Sequence, residues 1–145
     1  MCGICGILKL GAGAEPPRLE ELRRTRDSMA TRGPDGTGEW LSPAGEVALG
    51  YRRLAILDLS PAGAQPMASP DGRYPIVFNG EIYNFRALRA GLERDGLRFT
   101  TQSDTEVILA LWAREGERAL ARLRGMYALA VWDATEKSLT LARDP

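Results

Sequence analysis

Met1-Cys2-Gly3-Ile4-Cys5-Gly6-Ile7 opens the chain. Small and apolar, this stretch reads first as a buried strand, and the apolar run beyond it extends that strand over 2–10, as far as Gly11-Ala12-Gly13. Its second property is chemical. An initiator methionine is usually trimmed when a small residue follows, which would leave Cys2 with both a thiol and a free α-amine. An α-amine titrates at about 7.7–8.0. One residue would then carry a nucleophile and a base that works near neutrality. The rest of the sequence must supply a substrate pocket and donors for a developing oxyanion.

Working outward, Pro16-Pro17 opens a helix. Leu19, Leu22 and Met29 share one of its faces, while Arg23, Arg24 and Arg26 lie elsewhere and read as a solvated basic surface. Thr31 to Gly38, with its glycines and proline, is a loop. Glu39-Trp40-Leu41 and Val47 to Tyr51 are two strands about the turn Ser42-Pro43-Ala44-Gly45, and Arg52 to Asp58 continues the second. Residues 59–73 carry Pro61, Gly63, Pro66, Pro70 and Gly72 and read as a long irregular loop of the kind that is often functional. Tyr74 to Phe78 is a buried strand that Asn79-Gly80 is expected to stop, since Asn-Gly is a hairpin signal; Glu81-Ile82-Tyr83 would return. Asn84 is a candidate N-cap for a helix with Phe85, Leu88 and Leu92 on one face and Gly96 as its stop. Ser103-Asp104-Thr105-Glu106 has the form of a capping box ahead of Val107, Ile108, Leu111 and Trp112. A short helical stretch near 119–123 leads to an apolar strand, Met126 to Trp132, which Asp133 to Lys137 turns back into Ser138 to Ala142. Strands come in consecutive groups joined by turns. That order predicts an α+β fold of antiparallel sheets with helices packed on them, not a doubly wound parallel sheet.

Composition excludes several chemistries. At 145 residues the chain is long enough for one domain with its own core. Its 19 Lys+Arg balance 19 Asp+Glu, so net charge favours neither nucleic acid nor a membrane surface as partner. No stretch approaches the roughly 18 apolar residues of a membrane span, and the start lacks the basic region of a secretory leader; the expectation is a cytoplasmic protein. There is no histidine, which removes every His base and His ligand within the chain. Cys2 and Cys5 form a C-x-x-C pair with no second Cys pair to complete a zinc site, so no metal is expected. A thioredoxin-type pair would sit between a strand and a helix, whereas here an apolar run follows it; Cys5 reads as a small buried residue. No nucleotide-binding glycine motif occurs.

Five marks can now be set together: Cys2-Gly3-Ile4, Arg32-Gly33-Pro34-Asp35-Gly36, Arg53-Leu54-Ala55-Ile56-Leu57-Asp58, Asn79-Gly80-Glu81-Ile82-Tyr83-Asn84 and Ser103-Asp104-Thr105-Glu106. Their order and spacing resemble the glutaminase domain of class II glutamine amidotransferases, in particular the asparagine synthetase-like branch. Gly125 to Asp133 and Ala142-Arg143-Asp144-Pro145 are similar to that family as well. Each piece alone is weak, since Asn-Gly is more often a turn and Asp104 more often part of a cap. The joint pattern covers essentially the whole chain.

The resemblance implies a four-layer α/β/β/α sandwich of the N-terminal nucleophile hydrolase type. It makes Cys2 the nucleophile after loss of Met1, and Asn79 and Gly80 the oxyanion donors, through a side-chain amide and a backbone N–H. It gives Arg53 the α-carboxylate of L-glutamine, Glu81 and Asp104 the α-ammonium, and the backbone of Ile56 and Leu57 a place in the glutamine pocket. The chemistry is coherent, because glutamine offers a carboxylate, an ammonium and an amide and each meets a matching group. The resemblance further implies that 145 residues form a glutaminase domain cut before its final strands. ATP and magnesium would belong to an absent synthetase domain, or to a separate chain, that takes the ammonia for asparagine biosynthesis; a homodimer is also open. A fragment without activity, or a regulatory or assembly domain of the same fold, is the alternative. Two positions depart from the family pattern. Thr31 and Tyr51 stand where histidine is common, and neither is a core catalytic position of the family.

Overall fold

The computed structural model describes residues 2–56 and 60–145. Among the described residues, seven strands form two antiparallel sheets. In the first, β1 (Gly3–Leu8), β2 (Gly36–Leu41) and β3 (Val47–Arg53) lie in the order β1-β3-β2; in the second, β4 (Met67–Ala68), β5 (Pro75–Ile82), β6 (Gly125–Asp133) and β7 (Ser138–Arg143) lie in sequence order. Helix α1 (Leu19–Asp27) covers the outer face of the first sheet, and α2 (Phe85–Arg94) and α3 (Asp104–Glu115) cover that of the second. The layers run helix, sheet, sheet, helix, the sandwich the sequence implied.

Period-two alternation divides each strand between two cores. Val47, Leu49 and Tyr51 of β3 turn inward between the sheets, where they meet Val77 of β5 and Ala130 and Trp132 of β6, with Cys2, Ile4, Leu8, Trp40 and Leu139 packed around them. The alternate residues Ile76, Phe78 and Ile82 of β5 and Tyr127, Leu129 and Val131 of β6 face the helices, against Leu88 and Leu92 of α2 and Val107, Ile108, Leu111 and Trp112 of α3. The helical faces expected for α2 and α3 are the buried ones. Side chains on β5 therefore change layers residue by residue, and Asn79 and Glu81 share the inner face with Val77.

Four expectations need correction. Asn79-Gly80 is no turn: β5 runs unbroken to Ile82, pairing Asn79 with Ala128 and Gly80 with Tyr127. The close approach of β6 asks for glycine there, since a Cβ on residue 80 would lie 2.6 Å from Tyr127 Cα. Asn84 precedes α2 without capping it through its side chain. Its amide instead clasps the segment before β6, donating to the Arg122 carbonyl at 2.9 Å and accepting from Arg124 N–H at 3.0 Å. The arginines of α1 are not all solvated: Arg26 and Arg23 pair with Glu39 of β2 at 2.9 and 2.5 Å, tying helix to sheet. Met29 lies beyond the end of α1. Residues 60–73 are irregular apart from a short 3-10 turn at Pro61–Gly63 and the two residues of β4.

Candidate active site

The inner faces of the two sheets open, at the end where β1 begins and β3 and β5 finish, into a pocket of about 180 Å³. Its walls include Cys2, Arg53, Ile56, Asn79, Gly80, Glu81 and Asp104. These are the residues singled out from sequence, drawn from four separate stretches, except Leu57, which lies outside the described residues together with Met1.

Each wall follows from local structure. Arg53 ends β3 two residues after Tyr51, so both side chains leave the same face. The Arg32–Gly36 loop holds this strand end: Asp35 N–H donates to the Arg53 carbonyl at 2.9 Å, and Ala55 N–H donates to Asp35 Oδ2 at 2.9 Å. A Cβ on Gly33 would stand 2.5 Å from the Arg52 carbonyl carbon, so the loop lies flat against β3 only with glycine at that place. The loop also reaches Cys2, with Arg32 Nε donating to its carbonyl at 3.4 Å. The loop is thus a clamp beside the site.

Asp104 begins α3, with Ser103 as its N-cap; Ser103 Oγ accepts from Glu106 N–H at 3.3 Å. The reciprocal half of the expected capping box is redirected, because the Glu106 carboxylate accepts from Thr100 and Thr101 N–H at 2.8 and 2.7 Å. Asp104 itself is 5% exposed. Its Oδ2 accepts from Ile82 N–H at 3.1 Å, linking the head of α3 to the end of β5. Burial pushes the Asp104 carboxyl above the usual carboxylate range; backbone N–H groups, Ile82's among them, pull it back, and the Glu81 charge adds to the rise. A buried carboxylate beside a second acid suits a cationic partner, which would relieve both.

The two cysteines part company on β1. Cys2 packs between the sheets, whereas the Cys5 sulfur lies over Gly50 beside Leu22, on the α1 side. Residues three apart on a strand point to opposite faces, so the C-x-x-C pair has no redox geometry. Burial pushes the Cys5 thiol up, as expected of an unreactive structural cysteine. Cys2 Sγ, by contrast, receives Tyr51 Oη at 2.9 Å and Leu54 N–H at 3.3 Å.

Sequence reasoning passed over three contributors. Tyr51 was set aside as a departure from the family pattern, although its spacing from Arg53 was the signal that it shares the same face. Leu54 acts through its backbone, which no residue type announces. Gln65 sits in the irregular loop with nothing to mark it; its buried side chain accepts from Phe78 N–H at 2.6 Å and donates to Thr105 Oγ1 at 3.2 Å. It thereby fixes the strand just before Asn79 to the first turn of α3. Among the described residues, no group of three or more His, Cys, Asp or Glu is placed to hold a metal ion, and no helix is long and apolar enough to cross a membrane.

Comparison with known proteins gives the geometry a context. The model of the glutamine amidotransferase domain family matches residues 1–145. Asparagine synthetase [glutamine-hydrolyzing] 1 of Bacillus subtilis is 42% identical over 146 residues, covering 100% of this chain and 23% of the relative. Amidase chry2 of Gibberella zeae is 38% identical over 152 residues, covering 99% of this chain and 22% of its own. The chain thus spans about a quarter of the length of the curated relatives it matches. Among solved structures, the glutamine phosphoribosylpyrophosphate amidotransferase of B. subtilis superposes with a TM-score of 0.82 over 98% of this chain and 37% of that one, at 23% identity. That likeness shows that the two share the fold described above, two antiparallel sheets between layers of helix. With the family pattern met along its full length, the chain belongs to the class II glutamine amidotransferase domains and is related to those of the asparagine synthetases.

Proposed function

We propose that this domain hydrolyses L-glutamine to glutamate and ammonia through a thioester on Cys2, and that the ammonia serves an ATP-dependent synthetase of the asparagine synthetase type. The observation that carries the reading is the convergence of Cys2, Arg53, Asn79, Gly80, Glu81 and Asp104 on one pocket. Each meets a part of the substrate. The planar, always charged guanidinium of Arg53 suits the α-carboxylate. Glu81 and Asp104 offer the α-ammonium two acidic neighbours. The side-chain amide then lies toward Cys2.

The reaction runs in two halves. Removal of Met1 frees the Cys2 α-amine, which takes the thiol proton directly or through a water. The sulfur attacks the amide carbon and the carbonyl oxygen gains negative charge. The Asn79 side-chain amide and Gly80 N–H stabilise that oxygen, a contribution of about 2.7–4 kcal/mol per donor in comparable sites. The carbon–nitrogen bond breaks and ammonia leaves with the proton carried by the amine. Water, activated by the same amine, then opens the thioester and releases glutamate. The absence of histidine agrees with this scheme, in which the N-terminal amine is the base.

The names of the relatives suggest the acceptor. Their names attach to an asparagine synthetase and to an amidase, and both are more than four times as long as this chain. We assign ATP, magnesium and the acceptor to that further region or to a partner chain, with aspartate as the default acceptor. Ammonia release from glutamine by the chain and by its Cys2→Ala variant tests the reading. Release by the chain and none by the variant supports it. Release undiminished in the variant overturns it, and a fold without release from either supports the non-catalytic alternative.

A further inference from the structure

Tyr51 is 4% exposed and follows Val47 and Leu49 on the inner face of β3, ahead of Arg53. A buried phenol keeps its hydroxyl where it has a partner, and here the partner is the Cys2 sulfur at 2.9 Å. Leu54 N–H approaches the same sulfur at 3.3 Å from the chain just beyond β3. Two donors thus converge on the atom assigned as nucleophile, whose thiol in turn donates to the Leu54 carbonyl at 3.5 Å. Donors to a sulfur favour its anionic form, and the thiolate is the reactive form. The charged groups around the pair are Arg53 on the same strand, Glu81 on β5, Asp104 at the head of α3, and Arg32, which donates to the Cys2 carbonyl. Burial, followed by the hydrogen bond to Cys2, holds proton loss from Tyr51 far above its ordinary range. The hydroxyl is accordingly a permanent donor.

We propose that Tyr51 is a catalytic residue of the glutaminase reaction, donating a hydrogen bond to Cys2 Sγ that favours and orients the attacking thiolate. The inference rests on the assignment of Cys2 as nucleophile. Tyr51 gives up no proton. Attack forms the sulfur–carbon bond and moves the carbonyl π pair onto oxygen; collapse expels ammonia, which carries away the former thiol proton. Hydrolysis breaks the sulfur–carbon bond and returns the electron pair to sulfur, where the Tyr51 hydroxyl receives it again. The hydroxyl therefore assists both the first attack and the last departure.

Tyr51→Phe keeps the ring in the core and removes only the oxygen. The experiment follows Cys2 alkylation by iodoacetamide against pH with peptide-resolved mass spectrometry, taking Cys5 on the opposite face of β1 as internal reference, and measures kcat and KM for ammonia release. The expected result is a fall of about tenfold in Cys2 alkylation at neutral pH, in line with loss of a hydrogen bond to a charged group, with the profile displaced to higher pH and Cys5 unchanged. kcat should fall by a similar factor and KM for glutamine should change little. Tyr51→His, which restores a donor, should recover part of both, and it keeps the test open should the Phe variant not fold. Wild-type alkylation and kcat in the folded Phe variant would overturn the proposal. Ammonia release that survives Cys2→Ala would overturn the nucleophile assignment and this proposal with it, whereas its loss together with an unaltered Phe variant would overturn this proposal alone.

Discussion

Asp104 is a carboxylate held against its own solvation. Burial is the largest influence on it, and it raises the pKa. A raised folded-state value means the native chain keeps this proton to higher pH than the unfolded chain. The stability it confers is present below the unfolded value of about 3.9 and is lost as pH rises through the folded value. Asp104→Asn is therefore expected to leave the neutral-pH melting temperature unchanged or higher, by differential scanning calorimetry. Activity should move the other way. Without the charge the glutamine ammonium loses a partner, and KM should rise at least tenfold, consistent with about 1.5–3 kcal/mol for a hydrogen bond to a charged group. In the unmodified chain KM should climb as pH falls through the raised Asp104 value, because the protonated acid no longer pairs with the ammonium. A KM independent of pH in that region, with an unaffected Asn variant, would remove Asp104 from substrate recognition. Arg53, Glu81 and Asp104 stood out in the sequence only through the joint resemblance of their motifs to one family, and the structure brings the three to one pocket. Tyr51 did not stand out, because an aromatic on a strand looks like core until the Cys2 sulfur is placed beside it.

At the scale of elements, β5 shows why local signals misled. Asn-Gly favours a tight turn when nothing else competes. Here the seven residues Ile76 to Ile82 pair in register with Val131 to Gly125, and that ladder outweighs the local preference. Glycine at 80 is kept for the close approach of β6. Gly80→Ala should cost about 1–3 kcal/mol, the usual penalty for forcing an added methyl into a packed site. It should also abolish ammonia release by displacing the neighbouring Asn79; urea unfolding and the glutaminase rate check both parts. The hairpin between β6 and β7 depends on one carboxylate. Asp133 accepts from Thr135 and Glu136 N–H at 2.8 and 3.0 Å and is gripped in a fork by Arg73 at 3.0 and 2.7 Å. The Arg73 hydrogen bonds, chiefly, hold its pKa down at about 2. A lowered folded value gives stability that is complete above the unfolded pKa and drains away as pH falls from about 4 to about 2. Asp133→Asn should lose about 1–2 kcal/mol at neutral pH, a value reduced for the part-exposed Arg73, and should show a flatter acid limb in denaturation. Strands and helices were readable from apolar periodicity. The irregular loop over 60–73 was readable from its prolines and glycines, but the part Gln65 plays in it was not, because it works through a hydrogen bond to Phe78 N–H that no local pattern encodes.

Across the whole molecule, two sheets enclose one core and two helical layers close a second and a third contact surface outside them. The antiparallel sheets with helices packed on them could be foreseen from the grouping of the strands, and the four-layer stacking from the family resemblance. Which residues of different strands meet at the mouth of the pocket required the register. Among the described residues β7 pairs on one side only, with β6, and Leu141 on it is 71% exposed. An open apolar edge invites pairing between chains. The 145-residue chain by itself should therefore associate as concentration rises in analytical ultracentrifugation, and Leu141→Lys should suppress that association without changing the melting temperature. Concentration-independent sedimentation as a monomer would show that the edge is protected. The claim on which everything else depends is that Cys2, once terminal, forms the covalent intermediate. Its most direct test is peptide-resolved mass spectrometry of the chain quenched in acid after mixing with glutamine. The account predicts an N-terminal peptide that begins at Cys2 and carries a glutamyl thioester on that residue. Ammonia release from a chain whose Met1 is retained, or a glutamyl group on any residue other than Cys2, would contradict it.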